Sequence, residues 1–123
     1  MITKANFKNL LVALSFSEKD SVFSKKINGI LIQADAKQEK LLYPKGIKIE
    51  GEFTTNFSSA ENFVVFECVH RLLELGYKSE HLTLEPKWKV GHGASGGRAD
   101  IVIKDNDGQI FAIIEWQNSR QRI

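Results

Sequence analysis

Apolar residues recur at helical spacing at Phe7, Leu10, Leu11 and Leu14, which predicts an amphipathic helix from about Lys4 to Ser15. From Ser17 to Lys26 the chain turns polar and charged. The segments G-I-L-I-Q-A-D (29–35) and K-L-L-Y-P-K-G-I-K-I (40–49) then read as short strands around a polar turn near Lys37 to Glu39, with Pro44-Lys45-Gly46 breaking the second. Ile47 and Ile49 alternate with Lys48 and Glu50, and the loop G-E-F-T-T-N-F-S-S leads into the strongest helix signal. That helix opens at Ser58 or Ser59, where Ser58-x-x-Glu61 matches a capping box, and closes before Gly76. Its body, E-N-F-V-V-F-E-C-V-H-R-L-L-E-L, is apolar over most of its girth, so it is predicted to be largely buried.

After this helix the period changes to two. Leu82, Leu84, Trp88 and Val90 alternate with Thr83, Glu85, Lys87 and Lys89, which predicts a half-buried strand that Pro86 pushes toward a sheet edge or a bulge. A glycine-rich loop, G-H-G-A-S-G-G, follows. Ala99, Ile101 and Ile103 then alternate with Asp100, Val102 and Lys104, the Asp-Asn-Asp-Gly stretch supplies a turn, and the run from Ile110 to Trp116 is apolar enough for a buried strand. The two strands form a hairpin in which each carries one acid, Asp100 or Glu115.

Register decides whether those acids meet. A two-residue turn at Asp107-Gly108 places Asp100 opposite Glu115. A four-residue loop from Asp105 to Gly108 sets Glu115 opposite Arg98, leaving Asp100 a diagonal neighbour roughly 7 Å away on the same face. A three-residue loop without a compensating bulge separates the acids onto opposite faces, because a one-residue slip inverts every side chain.

A chain of 123 residues makes one domain with a sizeable core, and 42% hydrophobic with 26% charged residues is an ordinary globular balance. The net charge of +2 neither announces nor excludes a nucleic-acid partner. Cys68 is the single cysteine, so no intrachain disulfide can form and a reducing, cytoplasmic setting is expected. The amino terminus superficially suggests a signal peptide, but Lys8 interrupts it and no small-residue cleavage site follows. No apolar stretch approaches the length of a membrane span.

The glycine loop matches G-x-G-x-x-G in form, yet a strand and not a helix follows it, so the dinucleotide reading fails. A kinase phosphate loop lacks the remaining catalytic apparatus. A hairpin loop explains the glycines better than an anion cradle does. Asp100 and Glu115 carry more information, since a carboxylate inside an apolar strand is costly without compensation. Two readings stand level: a shared cation, for which Mg²⁺ suits oxygen ligands, or an ion pair of Glu115 with Arg98 at the sheet end. His70 and His92 are isolated and lack zinc-ligand spacing. For Lys87, Lys89 and Arg98 a solvated strand face is weighed against contact with a DNA backbone.

The blocks G-R-A-D-I-V-I and I-I-E-W-Q resemble the core of the PD-(D/E)xK nuclease superfamily. More narrowly, E-N-F-V-V-F-E-C-V-H-R-L-L-E-L-G-Y, L-E-P-K-W-K and G-G-R-A-D-I-V-I look like the amino-terminal nuclease region of type I-like restriction-modification proteins. The resemblance covers roughly the second half of the chain, from Asn56 onward. It implies an α+β fold, a restriction-endonuclease-like core with a mixed, mainly antiparallel sheet flanked by helices. Residues 1–55 would supply a helix and short strands, and residues 56–117 a helix-strand-strand-strand core. It also implies Mg²⁺- or Mn²⁺-dependent hydrolysis of double-stranded DNA. Asp100 and Glu115 would be metal ligands, joined by the carbonyl of Trp116 and by Glu61, whose other reading is the capping box with Ser58. Gln117 would stand where the family carries lysine; a neutral amide can orient the attacking water but contributes no charge. Arg98, Lys87 and Lys89 would meet the DNA backbone. Methyltransferase, motor or specificity regions are the implied partners. Related domains continue with another helix and strand, so the resemblance implies truncation at the carboxy terminus and an exposed sheet edge open to homodimer pairing. Other classes remain: a catalytically silent interaction fragment, or a nonspecific DNA-binding module.

Overall fold

The computed structural model describes residues 2–50, 55–84 and 101–114. The chain is α+β. Among the described residues two four-stranded sheets flank a long helix, and a shorter amino-terminal helix packs beside it.

The short helix α1 (Phe7–Ala13) buries Phe7 and Leu11, while Leu10 and Leu14 pack partly buried at its flank. This is the predicted face. The region read as polar and charged nevertheless forms strands β1 (Ser17–Lys19) and β2 (Val22–Ile27). They join β3 (Ile30–Asp35) and β4 (Lys40–Leu42) in an antiparallel meander, with strand order following the chain. Its tight turns explain the register. Lys19 pairs with Val22 across Asp20 and Ser21, both at positive φ, and Ile27 pairs with Ile30 across Asn28 and Gly29, also both positive. Two successive left-handed residues are the signature of the hairpin turn whose twist matches the strands. At the third turn Asp35 Oδ1 accepts from the amides of Lys37 and Gln38, each at 2.9 Å, which places that turn where the sequence predicts it. One face of the meander buries Phe23, Ile27, Ile32, Ala34 and Leu41; the other carries Ser24, Lys26, Leu31, Gln33 and Leu42.

After the Pro44-Lys45-Gly46 break, β5 (Lys48–Ile49) begins the second sheet. Gly46 has φ +98°, and a side chain there would stand 3.0 Å from the Ser79 Cβ, so both backbone and space call for glycine. The long helix α2 (Ala60–Glu74) then crosses over, and β6 (Leu82–Leu84) returns parallel to β5. A parallel pair requires such a crossover. A 3-10 turn (Ser79–His81) precedes β6, and β7 (Ile101–Lys104) and β8 (Ile110–Ile114) complete the order β5-β6-β7-β8.

Two details of the sequence reading change. The amino cap of α2 is Ser59, whose Oγ accepts from the Glu61 amide at 3.2 Å; Ser58 instead hydrogen-bonds Asn56 through its own amide and hydroxyl. The Ser58–Glu61 capping box is therefore absent. In its described part, β6 lies between β5 and β7 and not at an edge, so Thr83 is buried along with Leu82 and Leu84. Its polar hydroxyl disguises an interior position. Trp88, Val90 and Pro86 lie outside the described residues.

Helix α2 is apolar on two sides because it has two neighbours. Phe63, Phe66, His70 and Leu73 recur along one stripe. Phe63 and Phe66 meet Phe7, Phe66 also meets Phe16 and Tyr43, and the Leu73 carbonyl accepts from Asn28. Val64, Val65 and Cys68 face Ile101 and Ile114 of the second sheet. The buried apolar residues other than Val102 form one cluster that draws on both sheets and both helices.

Candidate functional site

The hairpin β7–β8 determines what the two acids can do. Its loop has three residues, Asn106, Asp107 and Gly108: the Gly108 amide donates to the Asp105 carbonyl at 3.1 Å, and the Asp105 amide donates to the Gln109 carbonyl at 2.8 Å. Gly108 takes φ +81°, the left-handed residue that closes such loops. The Asp105 carboxylate holds the turn from inside, accepting from the amides of Asp107 and Gln109, each at 2.9 Å.

A loop of this length sets the wrong parity for converging acids. The ladder corrects it. Lys104 pairs with Ile110, but Ile103 pairs with Ala112, so Phe111 is the extra residue of a β-bulge. Beyond the bulge Val102 faces Ile113 and Ile101 faces Ile114. This is the register expected of a two-residue turn, reached through a three-residue loop and a bulge. Asp100 and Glu115 are the next residues in sequence on either side of the Ile101–Ile114 pair. They lie outside the described residues, as do Trp116, Gln117, Arg98, Lys87, Lys89, His92 and the glycine loop.

Glu61 is described. It is exposed in the first turn of α2, with its amide held by Ser59. Among the described residues no ion pair or hydrogen bond engages its carboxylate. Glu61 precedes Val64, Val65 and Cys68 by three, four and seven positions, so it lies on the helical stripe that faces the second sheet. Those three residues line an apolar groove of about 270 Å³ with Ile101, Ile114, Glu67 and Arg71. The groove thus adjoins the strand ends that lead to the acids.

Glu67 and Arg71 form an ion pair at the groove rim, a pairing the i,i+4 spacing made legible but the sequence reading did not single out. Cys68 is half-buried in the groove, and burial first, then the Glu67 carboxylate, pushes its thiol above the ordinary range. A thiol so placed stays protonated and is a poor nucleophile or metal ligand. Among the described residues, which include Glu61 but neither Asp100 nor Glu115, no group of three or more His, Cys, Asp or Glu is placed to hold a metal ion. Among the same residues no helix is long and apolar enough to cross a membrane.

Comparison with protein-family models, with curated proteins and with solved structures returns no match.

Proposed function

We propose that this chain is the amino-terminal endonuclease domain of a type I-like restriction-modification protein, hydrolysing DNA phosphodiester bonds with Mg²⁺. The observation that supports it best is the register that pairs Ile101 with Ile114, because a ladder continued by one step sets Asp100 against Glu115. Glu61 adds a carboxylate with no partner among the described residues, at helical spacing from Val64, Val65 and Cys68, which face the same strands. An all-oxygen donor set of this kind fits Mg²⁺ or Mn²⁺, which are held by one or two carboxylates and complete their shells with water and phosphate.

In this reading Asp100 and Glu115 would hold the ion, with Glu61 and the Trp116 carbonyl as further ligands. When bound, the ion would activate a water and offset charge on the phosphate. Gln117 orients that water through its amide, and Arg98, Lys87 and Lys89 position the DNA backbone. Double-stranded DNA is the substrate, and methyltransferase, motor or specificity regions supply sequence recognition.

Gln117 also favours a second reading, a catalytically silent interaction fragment, since a neutral residue there leaves the developing charge without its usual partner. Nicking of supercoiled DNA with Mg²⁺ or Mn²⁺ separates the two. Cleavage lost with chelator and with Glu115→Ala, and raised by Gln117→Lys, supports the nuclease. Absence of cleavage in both wild type and Gln117→Lys supports the silent fragment. DNA binding without metal and with a steep salt dependence would point to a nonspecific binding module instead.

A further inference from the structure

A cluster on the opposite side of α2 belongs to neither the groove nor the acids. Lys25 of β2 points inward, and its ammonium donates to the Leu14 carbonyl at 2.7 Å. It also lies 2.9 Å from His70 Nε2 and 3.3 Å from Glu74 Oε2. An ammonium has three protons and no lone pair, so Nε2 must be the acceptor. The imidazole is therefore neutral, with its proton on Nδ1, 3.6 Å from Glu74 Oε1. Its ring is 1% exposed and lies against Phe16 at 5.7 Å. Three elements meet here: the carboxy end of α1 through Leu14, the meander through Lys25, and α2 through His70 and Glu74.

We infer that Lys25, His70 and Glu74 form a proton-sensitive latch that fastens the meander and the end of α1 to α2. The charged groups acting on His70 among the described residues are Lys25 from β2 and Glu67, Arg71 and Glu74 from α2 itself. The α1–β1 junction offers only the apolar Phe16. Burial, then Lys25, holds His70 below the ordinary histidine range, against the opposing pull of Glu74 and Glu67. Protonation removes the lone pair that Lys25 uses and sets two cations against each other, so Lys25 must withdraw and the Leu14 carbonyl loses its donor. The released state takes up a proton more readily than the fastened one. Fastening is thus complete above the ordinary histidine range, near 6.5, and is lost as pH falls below it.

Amide hydrogen-exchange protection factors at pH 7.5 and 5.5 test this in the wild type, His70→Gln and Lys25→Met. The wild type should lose about tenfold of its protection along β2 and β3 in acid, while β6 and β7 stay constant. His70→Gln keeps an acceptor but cannot titrate, and should change less than about twofold; Lys25→Met removes the like charge but leaves His70 buried, so its acid loss should be smaller than the wild type's without vanishing. Equal acid losses in wild type and His70→Gln overturn the latch, as does a wild type without acid loss in the meander. Should either variant fail to fold, the ring of His70 in the wild type is followed by NMR. Protonation below the ordinary histidine range, with β2 amides moving at the same midpoint, supports the latch, and protonation at or above that range overturns it.

Discussion

Replacing Phe7 with alanine should remove much of what holds α1 in place. The Phe7 ring is 1% exposed and lies at the centre of an aromatic group: stacked on Phe63 at 4.4 Å, edge-on to Phe57 at 5.5 Å and edge-on to Phe66 at 5.7 Å. Truncation of a buried phenylalanine costs about 3–5 kcal/mol through lost transfer energy and the cavity left behind. The geometry sets this site toward the upper part, because three rings lose a partner and each such contact adds roughly 0.5–1.5 kcal/mol beyond its area. Against a total stability of about 5–15 kcal/mol, the change is large. Equilibrium urea unfolding should therefore show the midpoint lowered by about 2 M, at a slope of roughly 2 kcal/mol per molar. Val12, on the same helix but 64% exposed, is the control, and Val12→Ala should move the midpoint by less than about 0.3 M. A Phe7→Ala shift no larger than that of Val12→Ala, with an unchanged slope, would refute the claim that α1 is pinned by this ring.

Other substitutions probe the turns, the cap and the groove. Gly108→Ala meets open space but keeps φ +81°, so it should cost about 1–2 kcal/mol in the same unfolding assay purely from backbone strain. Ser59→Ala removes the acceptor for the Glu61 amide and should cost about 1 kcal/mol. Cys68 should react with iodoacetamide at pH 8 more slowly than a free thiol, because its raised basicity lowers the thiolate fraction, and urea should restore the ordinary rate.

Much of the framework was legible because local chemistry wrote it. The Phe7, Leu11 face, the body of α2 and its end near Gly76, and the turn after Asp35 follow from period and turn residues alone. What escaped was set by partners far along the chain. The stretch from Ser17 to Lys26 reads as polar because its strands place Ser17, Lys19, Ser24 and Lys26 outward and turn on Asp20-Ser21, a less conspicuous pair than the Asn28-Gly29 that follows. Thr83 is interior because Lys48 pairs with it from 35 positions earlier, a neighbour that alternation cannot reveal. Lys25 reads as surface, and only the fold supplies the three acceptors that bring it inside.

The hairpin shows the limit most clearly. The conditions under which Asp100 and Glu115 converge could be stated from sequence, including the need for a bulge if the loop had three residues. Which condition holds could not, because Asp-Asn-Asp-Gly suits several loop lengths. Phe111, bulged and 65% exposed, resolves the parity between the loop and the Ile101–Ile114 pair. The family resemblance supplies the chemistry proposed for the acids, and the described register ends one pair short of them.

The central claim is that Asp100 and Glu115 share a divalent cation. Calorimetric titration of the purified chain with Mn²⁺ tests it directly, alongside Asp100→Ala and Glu115→Ala, each checked for folding by circular dichroism. Binding by the wild type that both folded variants lose is the predicted result. Binding retained unchanged in both variants, or no binding by the folded wild type, would contradict it.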